Sequence, residues 1–302
     1  MEIKNKAMAA DLGLVFITII WGSGFVVVKN TVDAIPPGYM IAMRFGIAVG
    51  LMCLIFFNRL KKLNWNCIKS GIILGLLMFI SYYLQTVGIQ YTTAGNNAFL
   101  TAVYVVVVPF LYWIIRKEKP DAYNIFAALL CIVGIGLLTL RSGFSMNTGD
   151  MLSLFCGITF AAQIVAVSIL AEKNDPILIS FTQFVVTAIF AFAVALFTEP
   201  FPEEMDTNAV LSTFYIGICC TLIALVLQTV CQKYTPPARA SLIMSLESLF
   251  GSIFGIIFLS ESLTMKTFFG SILIFLSIMI SEMKPSFLKL EKKSLEVPDH
   301  SK

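Results

Sequence analysis

Two ionisable residues stand alone inside long uncharged runs, Arg44 within 39–57 and Glu247 within 240–259. A charge at the centre of a membrane-crossing helix costs about 2.5–3.5 kcal/mol on insertion scales, so each needs a partner or a wet cavity and is expected to face inward. With a helical rise of about 1.5 Å per residue, Arg44 lies about 8 Å in from Tyr39, and Glu247 about 12 Å in from Arg239 on the opposite side. Their depths then differ by roughly 10 Å in a hydrocarbon core of about 30 Å. Extended side chains or one water would join them. One reading is a structural ion pair or a snorkelling arginine. In the other, Arg44 binds an anionic substrate group or gates a cavity, and Glu247 binds a substrate amine or carries a coupling proton.

Neutral polar and aromatic residues add to this set. Tyr82 and Gln85, then Asn97, Thr101 and Tyr104, recur at one-face helical spacing. Gln163 and Gln183 are lone amides in apolar runs, and Trp21, in Trp21-Gly22-Ser23-Gly24, sits mid-run rather than at the interfacial depth favoured by tryptophan. For each the alternative is plain: interhelical hydrogen bonding for the polar groups, packing for Trp21. Trp65 and Trp113 lie near a run end, as interfacial belt residues do. Gly46 with Gly50, Gly71 with Gly75, Gly251 with Gly255, and a serine stripe from Ser241 to Ser252 are spaced for close helix packing.

Other chemistries are excluded. The sole histidine, His300, lies in a polar tail, which removes histidine-based metal sites and Ser-His or Cys-His catalysis from the body of the chain. The seven cysteines show no CxxC spacing and mostly lie in apolar runs, so they read as small buried residues. Gly22-Ser23-Gly24 lacks the rest of a nucleotide fingerprint, and no Walker A sequence occurs, so direct ATP-driven pumping by this chain is excluded. No cofactor is expected. The net charge of +3 comes from short clusters with no extended basic face, which argues against nucleic-acid binding.

The elements that position these residues follow from composition. The chain has 302 residues, 58% hydrophobic and only 13% charged, against about 25% charged in soluble domains. Its expected partners are the lipid bilayer and a small-molecule substrate. The expected fold class is an all-α integral membrane protein. Uncharged runs long enough to cross give ten helices, near 12–32, 39–57, 68–90, 97–115, 122–140, 149–172, 177–198, 209–232, 239–259 and 266–282. The first apolar run is read as a span rather than a signal peptide, because similar runs follow it. Thr92-Thr93-Ala94-Gly95-Asn96 breaks one over-long run, and prolines mark other junctions. With the N-terminus cytoplasmic, seventeen of the 21 Lys and Arg fall in inner segments, Lys29, Arg141 and Lys266 in outer ones, and the 199–208 loop is acidic. Both termini are therefore expected in the cytoplasm.

The chain also repeats itself. Gln85-Thr86-Val87 overlays Gln228-Thr229-Val230 without a gap, and the same offset puts Tyr104 on Glu247 and Glu118 on Glu261. Five helices per copy is an odd number, so the second copy must be inverted in the membrane; the expected units are 1–145, 146–286 and a cytoplasmic tail, 287–302. A polar residue duplicated at equal depth in two inverted halves is what a binding site at the repeat interface would show.

These residues resemble the EamA family of the drug/metabolite transporter superfamily. The likeness rests on Trp21-Gly22-Ser23-Gly24-Phe25, Arg44-Phe45, Pro109, and Ser245-Leu246-Glu247-Ser248 leading to Glu261-Ser262-Leu263-Thr264, in this order, and covers about 6–286. Arg116-Lys117-Glu118-Lys119-Pro120 carries more charge than the Gly-Glu pattern usual there. The resemblance implies a multi-pass carrier of the bacterial inner membrane, often an exporter of amino acids or other small metabolites, with a central cavity and alternating access. An integral-membrane enzyme acting on lipid would want a clustered acid/base or metal constellation, which the sequence lacks. A non-transporting sensor or scaffold would want a soluble signalling domain, which it also lacks. The expected site residues are Trp21, Arg44, Tyr82, Gln85, Asn97, Thr101, Tyr104, Gln163, Gln228 and Glu247, and the expected activity is not enzymatic.

Overall fold

The computed structural model describes residues 2–117, 119–120, 122–139, 146–202, 205–262 and 264–283. The tail, the repeat junction at 140–145, Arg141 and Glu118 lie outside them. Every regular element among the described residues is helical: α1 (Glu2–Thr31), α2 (Pro37–Ile55), the single turn α3 (Phe57–Leu60), α4 (Trp65–Tyr91), α5 (Ala94–Thr101), α6 (Tyr104–Arg116) and α7 (Ala122–Thr139) in the first copy. The second copy holds α8 (Thr148–Lys173), α9 (Pro176–Thr198), α10 (Thr207–Tyr215), a π-helical segment (Ile216–Ile223), α11 (Ala224–Gln232), α12 (Pro237–Leu259) and α13 (Met265–Met283).

Local chemistry sets the boundaries. Asn64, Thr93, Asn147, Asp175 and Asp206 each accept a backbone N–H of the helix that follows, and Pro37 and Pro237 open α2 and α12 where no amide donor is needed. Eight helical runs are long and apolar enough to cross a membrane, α5 and α6 counting as one and α10 to α11 as one; Ile125–Leu137 and Phe268–Ser277 are shorter apolar helices. The fifth and tenth crossings expected from the sequence, 122–140 and 266–282, correspond to these shorter helices.

The copies correspond element by element. Lys117 and Ser260, which close α6 and α12, are the only non-glycine residues with positive φ among the described residues, at 64° and 53°. They lie at the same offset as Tyr104 and Glu247, which are 143 apart. Contacts at helix ends fix the directions. Asp11, near the start of α1, meets Arg239 at the start of α12 at 2.6 Å, and Arg59 after α2 meets Asp175 before α9 at 2.8 Å. At the opposite face Thr92, just after α4, donates to Asp150 at the start of α8 (2.5 Å), and Glu199, after α9, accepts from the Gly38 amide of α2 (2.9 Å). So α8 runs against α1, and α9 against α2: the equivalent helices are inverted.

Large apolar side chains such as Leu54, Leu129, Phe197 and Phe258 are exposed, while Arg44, Asn97, Asp150, Gln228 and Glu247 are buried. That is the reverse of a soluble protein and suits lipid on the outside. Helices approach through glycine at α4–α9, where a Cβ on Gly71 would collide with Thr182 Cβ, and at α7–α13, where one on Gly134 would sit 2.8 Å from Ile274 Cγ1. Gly251 likewise abuts Ala98. Gly46 and Gly50 depart from the packing expected of them: a Cβ there would meet nothing within 4 Å, because their face of α2 points outward.

Candidate functional site

Between the copies lies a cavity whose empty space, its open part included, is ≈ 650 Å³. Seven of the ten residues expected from sequence stand on its wall: Trp21, Arg44, Tyr82, Gln85, Tyr104, Gln228 and Glu247. Apolar residues complete the wall, among them Phe25, Ile89, Phe160, Ile164 and Leu225.

The Tyr104 hydroxyl donates to Glu247 Oε1 at 3.0 Å, both residues being buried. These are the same position in the two copies. Equivalent residues of an inverted repeat can touch only where the pseudo-twofold axis passes, so this bond marks the axis and its depth in the bundle. Local structure delivers Tyr104 there. The backbone is not regular helix at Ala102 and Val103, and α6 restarts at Tyr104. Breaks of this kind are tolerated at membrane depth where they border a cavity.

Arg44, 4% exposed, makes no ion pair with Glu247 among the described residues, although their depths allowed one. Its Nε donates to Thr221 Oγ1 at 2.7 Å, and its guanidinium carbon lies 4.5 Å from the centre of the Tyr82 ring. A cation over an aromatic face gains about 2 kcal/mol when desolvated, part of what burial costs it. Its terminal nitrogens make no hydrogen bond to a described residue. Beside Thr221 in the second copy's chain, the Cys220 carbonyl accepts from Trp21 Nε1 at 3.0 Å. Gly22 lets α1 approach α12, since a Cβ there would collide with Phe250 Cβ.

Three expected residues stand off the wall. Asn97 Nδ2 donates to Ser153 Oγ at 2.7 Å and to the Gln85 carbonyl at 3.2 Å, joining α5 to α8 and α4. Thr101 accepts from Gln85 Nε2 at 3.3 Å and so orients a wall residue from behind. Gln163 is buried with no hydrogen-bond partner for its amide among the described residues, as is Gln183. Among the described residues, no three of His, Cys, Asp and Glu form a metal-binding group.

Sequence reasoning passed over Thr221, the Cys220 carbonyl and the carboxylates that cap helices. Glu261 accepts from the Ala94 and Gly95 amides at the start of α5 (2.5 and 3.1 Å), as Glu199 does at the start of α2. An acid at a helix N-terminus satisfies orphan donors and meets the positive end of the dipole. The position of Glu261 within the family-like Glu261-Ser262-Leu263-Thr264 was the one sequence signal for this.

The pattern that defines the EamA-like transporter family matches residues 8–140 and, separately, 147–283. An uncharacterized transporter of Archaeoglobus fulgidus is 37% identical over 279 residues, 92% of this chain and 87% of that one. The uncharacterized transporter YoaV of Bacillus subtilis is 24% identical over 271 residues, covering 87% and 93%. A solved crystal structure superposes with a TM-score of 0.69 over 93% of this chain and 99% of its own at 15% identity, which shows a shared fold. Two matches of one pattern, a relative of this similarity and a bundle of apolar helices make the chain a multi-pass membrane protein that belongs to the EamA-like transporter family.

Proposed function

We propose that the chain is a secondary transporter, an exporter or facilitator of small metabolites such as amino acids, working by alternating access in the plasma membrane with both termini cytoplasmic. The transporting units are the repeats 1–145 and 146–286, with 287–302 as a tail. The observation that carries this reading is the hydrogen bond between Tyr104 and Glu247 across the repeat axis, on the wall of a cavity that also holds an arginine with no carboxylate partner among the described residues. Two inverted halves can exchange conformations about such an axis and turn one central site from face to face.

The wall suits a small amphipathic solute. The terminal nitrogens of Arg44 take an anionic group, Glu247 takes an amine or carries the coupling proton, and Gln85 and Gln228 hydrogen-bond from the two sides. Trp21, Phe25 and Phe160 receive an apolar portion. Asn97, Thr101 and Gln163 support the wall rather than touch the solute.

Purified protein in lipid vesicles, presented with a broad panel of labelled amino acids and small metabolites, tests the proposal. It is expected to speed the movement of at least one above protein-free vesicles. Folded protein that moves none would overturn it. If a proton is coupled through Glu247, Glu247→Gln abolishes accumulation driven by a pH gradient and leaves exchange intact; retained accumulation would remove the proton from the mechanism.

A further inference from the structure

Two side chains that the first copy contributes to the cavity wall, Trp21 from α1 and Arg44 from α2, end on adjacent residues of the second copy. Trp21 Nε1 donates to the Cys220 carbonyl, and Arg44 Nε donates to the Thr221 hydroxyl. Both acceptors lie in the π-helical segment Ile216–Ile223. A π turn carries one residue more than an α turn, and its wider ladder leaves carbonyls off the regular i→i−4 pattern. The Thr221 hydroxyl donates to the Ile216 carbonyl, five residues back, at 2.9 Å, which leaves its lone pairs for Arg44. Close packing keeps the segment there: a Cβ on Gly217 would come within 3.2 Å of the Arg44 carbonyl, and the Ser23 and Tyr215 hydroxyls meet at 2.6 Å.

We infer that Thr221 is the positioning residue for Arg44. The π turn presents its hydroxyl to Nε, which holds the guanidinium against Tyr82 with its terminal nitrogens turned to the cavity for the solute's anionic group. The same turn holds Trp21 through the Cys220 carbonyl, so a movement of this one segment would move both side chains together. The second half of this claim rests on the transport reading; the first is a statement about Arg44 alone.

The test therefore needs no substrate. Arg44 is modified with phenylglyoxal in detergent-solubilised protein, and the modified peptide is followed by mass spectrometry. Thr221→Val keeps the shape and removes the acceptor, and should raise the rate at Arg44 roughly tenfold, the factor expected for loss of one hydrogen bond to a charged group. Thr221→Ser should leave it within about twofold of the parent, since the hydroxyl is retained. If Thr221→Val does not fold, Thr221→Ala removes the same hydroxyl and carries the same expectation. An unchanged Arg44 rate in either folded hydroxyl-free variant overturns the inference, even if thermal stability falls, because a merely structural threonine would lower stability without freeing the arginine. A raised rate in vesicles that show no transport would uphold the positioning of Arg44 and overturn only the proposed function.

Discussion

The two copies carry the same helices in opposite senses but bring different chemistry to the same depths. Tyr82 of the first copy faces Leu225 of the second, Trp21 corresponds to Ile164, and Tyr104 to Glu247; both members of each pair line the cavity. Gln85 and Gln228 are the pair that stayed alike. Arg44 corresponds to Thr187, whose hydroxyl instead lies within hydrogen-bond distance of the Gly75 and Gln183 carbonyls, in the α4–α9 contact. The cation and most aromatic rings thus come from the first copy, and the carboxylate comes from the second. Duplication supplied the frame and divergence supplied the polarity, which makes the cavity wall chemically asymmetric.

The backbone differs in the same way. In the first copy α4 is continuous and the following span is interrupted between α5 and α6; in the second, the counterpart of α4 contains the π segment while α12 is unbroken. Each interruption stands beside a residue of the cavity wall, Tyr104 in one copy and Cys220 in the other. Irregular backbone falls at the cavity rather than against lipid, where unsatisfied amides would be most costly.

The largest effect is expected at the Arg44 and Thr187 pair. Arg44→Ala should lower flux of a transported anionic or zwitterionic solute roughly 100-fold, from the loss of charged hydrogen bonds. Thr187→Ala should keep flux within about twofold and cost about 1 kcal/mol of stability in a thermal melt. Equal losses of flux at both sites would break the claim that the halves have divided roles. At the axis, Tyr104→Phe removes the donor to Glu247 and should cost about 1–2 kcal/mol in stability. The exchanged double variant Tyr104→Glu with Glu247→Tyr should recover most of that loss, since the pair remains a hydroxyl facing a carboxylate. No recovery would argue that the two positions are not equivalent. A third contrast, in stability alone, is between glycines: Gly71→Ala should cost about 1–3 kcal/mol by overpacking against Thr182, whereas Gly46→Ala, in open space, should be neutral or stabilising by up to about 1 kcal/mol.

Much of this was legible because polar residues in apolar runs are costly and a gap-free offset reveals their pairing. That is how Gln85 with Gln228, and Tyr104 with Glu247, could be singled out. The one-face spacing of Asn97, Thr101 and Tyr104 could not show which of them border the cavity: Asn97 and Thr101 turn to α4 and α8, and Tyr104, after the break at Ala102 and Val103, stands on the wall. Gln163 is next to Ile164 in sequence but about 100° round the helix from it, and Ile164 is the one on the wall. Glycine spacing could not tell the outward face at Gly46 and Gly50 from the packed face at Gly71 and Gly75, since both have the same period. The role of Thr221 was hidden because a π turn has no sequence signature here and a carbonyl acceptor such as that of Cys220 has none anywhere.

The central claim is that a wet cavity between inverted halves is walled equally by both. In a chain whose seven native cysteines are replaced, a single cysteine is placed at Gln85, at Gln228, or at outward-facing Ile189, and modified in membranes with a small charged methanethiosulfonate. Cysteines at Gln85 and Gln228 should both react, and the one at Ile189 should not; reaction at neither wall position, or at only one, would contradict the account.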